Sequence, residues 1–119
     1  MADHPILVID DDPAILSTVA DILEFEGYPV ECASNGAEGL AALERIQPLM
    51  VLLDMRMPVL DGWGFARILT ERGVHLPILV MTAAQDARRW AEEIGAEGFI
   101  PKPFHVMDLI DAVARFHTN

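Results

Sequence analysis

The 119 residues make about one domain, and just over half are hydrophobic, enough to bury a real core and to exclude disorder by composition. A formal charge of −11 argues against direct binding to nucleic acid or to an anionic membrane surface, since both need clustered Lys and Arg. The single Cys32 excludes an internal disulfide and fits a reducing cytosol, no secretory leader is visible after Met1, and no apolar run nears the roughly 20 residues that cross a bilayer. A cytoplasmic protein without a membrane partner is expected.

Apolar stretches of strand length alternate five times with segments of helical period. The first strand is expected over about Pro5–Asp10. Asp12-Pro13 then reads as an N-cap followed by proline at the first helical position, and Ile15, Leu16, Val19, Ile22 and Leu23 line one helical face up to a left-handed cap at Gly27. A second strand, about Pro29–Ala33, leads to Asn35 and Glu38, spaced as a capping box for a helix that closes near Gln47-Pro48. The third strand, Met50–Asp54, is apolar without alternation, the pattern of a strand covered on both faces. After the loop Met55–Gly62 comes a helix with Phe65, Ala66 and Leu69 inward, stopped at Gly73. The fourth strand is Ile78–Thr82, followed by a short helix over roughly Asp86–Ile94 with Gly95 as its cap. Trp90, with Arg88 and Arg89, is expected on a solvated face of that helix, with a partner patch as the alternative, since Trp and Arg are favoured anchors. The fifth strand, about Gly98–Pro101, contains proline and so belongs at an edge. The last helix starts near His105 and buries Val106, Leu109, Ile110 and Val113. Strands alternating with helices imply a parallel, doubly wound α/β sheet with helices on both faces, in a single domain over residues 1–119.

Four apolar runs stop at polar residues, and these carry the chemistry. Ile6–Ile9 runs into Asp10, Asp11 and Asp12; Met50–Leu53 into Asp54; Ile78–Met81 into Thr82; Phe99–Pro101 into Lys102, the chain's single lysine. Ligands of such sheets sit outside the carboxyl ends of the strands, where all of these residues lie. Carboxylates crowded together repel, and a hard divalent cation that prefers oxygen ligands relieves them. Mg²⁺ is the natural choice, keeping several waters; Mn²⁺ or another divalent cation can substitute. Asp54, ending a central buried strand, is the best nucleophile toward phosphorus. Lys102 supplies a point cation, and the Thr82 hydroxyl a donor, for the phosphate oxygens. Asp12 and Asp61 read more simply as helix caps.

The segments "ILVIDDD", "VLLDMRMP..DG", "VMTA" and "GFIPKPF" resemble the motifs of the receiver domain of two-component response regulators, in the right order and with near-family spacing. The resemblance covers essentially the whole chain. It implies strand order 2-1-3-4-5, as in the chemotaxis-type receiver, which brings Asp10, Asp11 and Asp54 together. It further implies Asp54 as phosphoacceptor, Asp11 and Asp54 as direct metal ligands, Arg56 as a ligand through its backbone carbonyl, and Asp10 acting on the metal through water. Thr82 matches the switch hydroxyl, and Lys102 the family lysine, whose bond to the following proline is usually cis. The donor would be a sensor histidine kinase or phosphotransfer protein, the output an unidentified protein or effector domain, and the oligomeric state monomer or weak dimer. No effector domain is expected within this sequence, and no turnover enzyme.

Two departures from the family pattern stand out. Phe99 occupies the position of the switch tyrosine, so it signals without a hydroxyl. The stretch from Ala83 to Gly95 is about half a turn short, which leaves the fourth helix stunted or irregular. A competing reading is an aspartyl-nucleophile phosphatase similar to the haloacid dehalogenases, which want an acid two residues past the nucleophile where this chain has Arg56. Another is a receiver turned constitutive interaction module.

Overall fold

The structure, a computed structural model, describes residues 4–117. Its elements are β1 (Ile6–Ile9), α1 (Pro13–Phe25), β2 (Val30–Ala33), α2 (Gly36–Ala42), β3 (Met50–Asp54), α3 (Gly62–Glu71), β4 (Ile78–Ala83), α4 (Ala84–Ile94), β5 (Gly98–Lys102) and α5 (Val106–His117). All strand pairs are parallel and the order is β2-β1-β3-β4-β5, which puts β5 at an edge as its proline requires.

Strand alternation sorts the core into two layers. Ile6, Val8, Met50, Leu52, Leu79, Met81 and Ile100 point to one face, under Val19 and Leu23 of α1 and Leu109 and Val113 of α5. Leu7, Ile9, Val51, Leu53 and Val80 point to the other, against Ala42 of α2, Phe65 and Leu69 of α3, and Trp90 and Ala91 of α4. Every residue of β1 and β3 is buried, which is why neither strand shows a polar alternate.

The helix starts follow local chemistry. The Asp12 carboxylate accepts from the Ala14 amide at 2.9 Å, ahead of Pro13 in the first turn, and Asp61 accepts from the Gly64 amide at 2.8 Å. Asn35 accepts from the Glu38 amide, but the Glu38 carboxylate turns back to the amide and hydroxyl of Ser34 instead of to Asn35. The box is thus closed one residue early.

Three expectations are corrected. α2 ends at Ala42 and not near Gln47; the amides of Glu44 and Arg45 bond three residues back, tight turns that unwind the helix well before Pro48. Val106 is 52% exposed, because the first turn of α5 follows a loop beyond the end of β5; the inward stripe is Leu109, Ala112 and Val113, with Ile110 half-buried. Trp90 is buried, not solvated: α4 carries Ala87, Trp90, Ala91 and Ile94 on one face, and that face packs on the sheet. α4 is short, as expected, but regular over its eleven residues, starting at Ala84 directly from the last residue of β4. The brevity of this stretch is absorbed by the connection, which has no loop residue at all.

The loop after β3 is pinned at both ends. The Gly62 amide donates to the Met55 carbonyl at 2.9 Å, and a Cβ at Gly62 would stand 2.8 Å from the Met55 Cα and 3.0 Å from the Asp54 carbonyl oxygen. Val59, at the exposed tip, holds φ +73°, a left-handed backbone that a β-branched residue adopts only at a cost. Two substitutions a few residues apart should therefore have opposite signs in urea denaturation. Gly62→Ala should destabilise by about 1–3 kcal/mol through overpacking, and Val59→Gly should stabilise by up to about 1 kcal/mol through relief of the left-handed strain.

Candidate functional site

Register and parity deliver the reactive groups. Ile9 pairs with Leu53, so Asp10 lies level with Asp54, and both continue the alternation of the layer under α1 and α5. Lys102 follows Ile100 by two residues on β5 and shares that parity. Carboxylate oxygens of Asp10, Asp11 and Asp54 lie within 4.8 Å of one another. The Lys102 Nζ sits 2.8 Å from Asp10 Oδ2 and 3.6 Å from Asp54 Oδ1. Asp10 Oδ1 also accepts from the Asp12 amide at 2.9 Å, and Asp54 Oδ1 from the Met55 amide at 3.0 Å. Asp10 and Asp54 are buried, whereas Asp11 is exposed on the bend after β1.

These contacts set the charges. Burial pushes the Asp54 carboxyl from an ordinary 3.8 up to about 6; the charge of Asp10 adds to the rise, and Lys102 offsets part of it. Burial pulls Lys102 the other way, but its bond to Asp10 and the charge of Asp54 outweigh that and hold the ammonium above its ordinary value. Lys102 thus stays a cation.

The remaining sequence candidates sit around this centre. Thr82 is buried at the end of β4, one residue past the Met81 that pairs with Asp54, and by parity it belongs to the opposite layer. Phe99 is half-buried on that same opposite side, with the Arg88 guanidinium 5.5 Å from its ring centroid, so it does not join the acidic crevice. The Arg56 side chain is exposed and lies over the Trp90 ring at 5.0 Å. The Lys102–Pro103 peptide is cis, as the resemblance implied.

A family model described as response regulator receiver domain matches residues 6–114. The chain belongs to this family. Receiver domains are the phosphorylation-controlled switches of two-component systems. The response regulator MprA of Mycobacterium sp. (strain KMS) is 41% identical over 107 residues, covering 88% of this chain and 46% of the relative; MprA of Mycobacterium leprae (strain TN) is 40% identical, with 88% and 47% covered. The chain spans about half the length of these curated relatives. Among solved structures, the receiver domain of NtrX from Brucella abortus has a TM-score of 0.86 at 31% identity, over 94% of this chain and 97% of that one. Chemotaxis protein CheY4 of Vibrio cholerae has 0.86 at 28% identity, over 97% and 99%.

The acid set suits a hard divalent cation. All three side chains offer oxygen, their oxygens are close enough to share one ion, and the Asp54 carboxyl, raised first by burial and then by the charges of Asp10 and Asp11, is one an ion would help to hold ionised. No helix among the described residues is long and apolar enough to cross a membrane. What residue types and motif spacing alone did not reveal is the ring cluster beside the site, in which Trp63 of α3 meets Trp90 of α4 at 4.9 Å. Its signal was present in the 87, 90, 91, 94 spacing of small and apolar residues on α4.

The raised Asp54 carboxyl has a consequence for stability. The folded state holds this proton more tightly than the unfolded chain, so its stabilising contribution is complete below about pH 3.8 and is lost as pH rises through about 6. Asp54→Asn keeps an acceptor for the Met55 amide and removes the charge. In chelator, at about pH 7.5, it should stabilise the protein by about 1–2 kcal/mol after allowance for solvent screening, and the gain should vanish below about pH 4. Urea titrations of both proteins across that range provide the measurement.

Proposed function

We propose that Asp54 is the phosphoacceptor of this receiver, that Mg²⁺ bound by Asp11, Asp54 and the Arg56 carbonyl, with Asp10 acting through water, is required, and that the donor is the phosphohistidine of a sensor kinase or phosphotransfer protein. The observation that carries this reading is a single ammonium lying 2.8 Å from one buried acid and 3.6 Å from another, at the rim of a three-carboxylate cluster. A carboxylate oxygen of Asp54 attacks phosphorus, the bond from phosphorus to the donor histidine nitrogen breaks, and that nitrogen leaves as neutral imidazole after taking up a proton. A bound divalent cation supplies charge neutralisation for the equatorial phosphoryl oxygens. Lys102, already held as a cation beside Asp54, takes an oxygen that the ion leaves bare. Thr82, buried at the neighbouring strand end, donates its hydroxyl to another.

Water later cleaves the acyl phosphate and returns the carboxylate, so the domain is a phosphoacceptor that resets and not a turnover enzyme. Arg56 stands where a phosphatase of the haloacid dehalogenase type would carry its acid, and an always-charged guanidinium cannot serve as that acid. The switch controls an output domain or protein in the cytoplasm, acting as monomer or weak dimer.

Mass spectrometry after treatment with a small acyl-phosphate donor tests this. Wild-type protein with Mg²⁺ should gain one phosphoryl group, and chelator or Asp54→Ala should abolish the gain. Asp11→Asn should weaken Mg²⁺ binding at least tenfold by loss of a charged ligand, on the order of 1.4 kcal/mol or more. Lys102→Met should leave Mg²⁺ binding largely intact while slowing transfer about 10²-fold or more, the size of a lost transition-state cation. Phosphoryl uptake by Asp54→Ala at the wild-type level would overturn the assignment.

A further inference from the structure

The Trp90 ring is a junction. It is 6% exposed, and groups from three segments converge on it. The Arg56 guanidinium lies 5.0 Å from its centroid, Arg89 of the same helix lies at 5.8 Å, and Trp63 meets it edge-on at 4.9 Å with the ring planes at 68°. Trp63 is itself held, since its Nε1 donates to Glu93 at 2.9 Å. Arg89 is tied at 2.7 Å to Asp86 within α4 and so moves with the ring. Arg56 comes from outside the helix.

The two segments joined at this ring are the ones that leave the site. Arg56 is two residues past Asp54. α4 begins two residues past Thr82, with no loop between strand and helix. Ala83, at the N-cap position, makes no side-chain capping bond, so packing of Ala87, Trp90 and Ala91 and not a cap sets where the helix lies. A movement of the end of β4 therefore has no slack in which to dissipate before it reaches Trp90. Phe99 is less suited to the task, because its ring lies under Arg88, a residue of α4 itself.

We propose that the Arg56–Trp90 stack is a latch that holds the resting arrangement of α4, and that loading of Asp54 releases it; the inference rests on Asp54 being the phosphoacceptor. A phosphoryl group on Asp54 that takes the Thr82 hydroxyl shifts the end of β4, and because β4 runs into α4 without a loop that shift carries the Trp90 ring away from the guanidinium. Because linkage is reciprocal, whatever weakens the stack must favour the loaded state by the same factor. Arg56 is here a positioning residue for α4 as well as a neighbour of the acceptor.

The test uses beryllofluoride with Mg²⁺ as phosphoryl mimic, and mass spectrometry after donor treatment as an independent check of Asp54 loading. In the Trp63→Phe protein Trp90 is the remaining tryptophan, and loading should change its emission and lower the hydrogen-exchange protection of α4. Arg56→Met, which leaves the core untouched, should raise affinity for the mimic roughly two- to fivefold, the size of an exposed cation–π contact. Trp90→Leu should do the same, the double variant no more than either single, and Trp90→Phe, which keeps a ring face, should restore wild-type affinity. A packing defect alone would lower the melting temperature without raising affinity. Unchanged Trp90 emission in protein shown to be loaded, or affinities that do not respond to Arg56→Met, would overturn the latch and leave the acceptor assignment standing. Failure to load Asp54 at all would remove both.

Discussion

Two acids held in a half-dry crevice need a cation, and among the described residues the side chain that reaches them is that of Lys102. Its Nζ spans from the edge strand β5 to Asp10 just past β1, across the ends of β3 and β4, and passes within 3.6 Å of Asp54 on the way. In the order β2-β1-β3-β4-β5, with all strands parallel, these residues lie at one end of the sheet, where the long lysine side chain can bridge them. The pair is unequal: Asp10 is deeply buried and bonded to both the ammonium and the Asp12 amide, while Asp54 keeps a more distant share of the same charge. One acid is thereby satisfied and the other is left poised. Deleting the ammonium would strand a buried carboxylate, which costs far more than an exposed ion pair returns.

Such a cluster is a stability liability that the fold carries on its behalf. Both layers of the sheet are filled with fully buried aliphatic side chains, and β1 and β3, the strands that end in Asp10 and Asp54, have no exposed residue. The rigid, dry strands are what let a carboxyl be pushed up to about 6 without the site relaxing toward water. The loop after β3 adds to this. Gly62 admits the close approach of Met55, and Val59 tolerates a left-handed backbone at the tip, so the chain leaves Asp54 along a constrained path.

Much of this was legible because its causes are local. Asp12-Pro13, Asn35 and Asp61 announce their helices through bonds spanning two or three residues, and the continuous apolar runs of β1, β3 and β4 need only burial on both faces. The gathering of Asp10, Asp54 and Lys102 was legible for a similar reason: each lies at the carboxyl end of a strand, and a parallel sheet puts those ends on one edge. What local patterning misjudged depends on neighbours distant in sequence. α2 fits helical period past Ala42 yet unwinds into tight turns, with Arg45 drawn to Glu31 on β2 at 2.9 Å. Val106 has the right spacing to be buried, but it is half-exposed at the start of α5, where it lines an open groove with Ile22 and Phe25 of α1. Trp90 sits beside two arginines and reads as surface until α3 is placed against it.

Parity then dictates where a signal can travel. Asp10, Asp54 and Lys102 belong to the layer under α1 and α5, whereas Thr82, Phe99 and Trp90 belong to the layer under α3 and α4. A single residue step separates the two, since Asp54 pairs with Met81 and Thr82 comes next. Charge placed on Asp54 is therefore generated on one face, and the helices able to respond to Thr82 lie on the other. The information must cross at the strand ends, through the hydroxyl of Thr82 or through the backbone that carries Arg56. In a sheet with a long β4–α4 connection that crossing could be absorbed by loop motion. Here β4 becomes α4 at consecutive residues, so a displacement at Thr82 would reach the helix with no loop to absorb it. On the proposed reading, with Asp54 as acceptor, the short junction between β4 and α4, and not a hydroxyl on residue 99, would couple the site to α4.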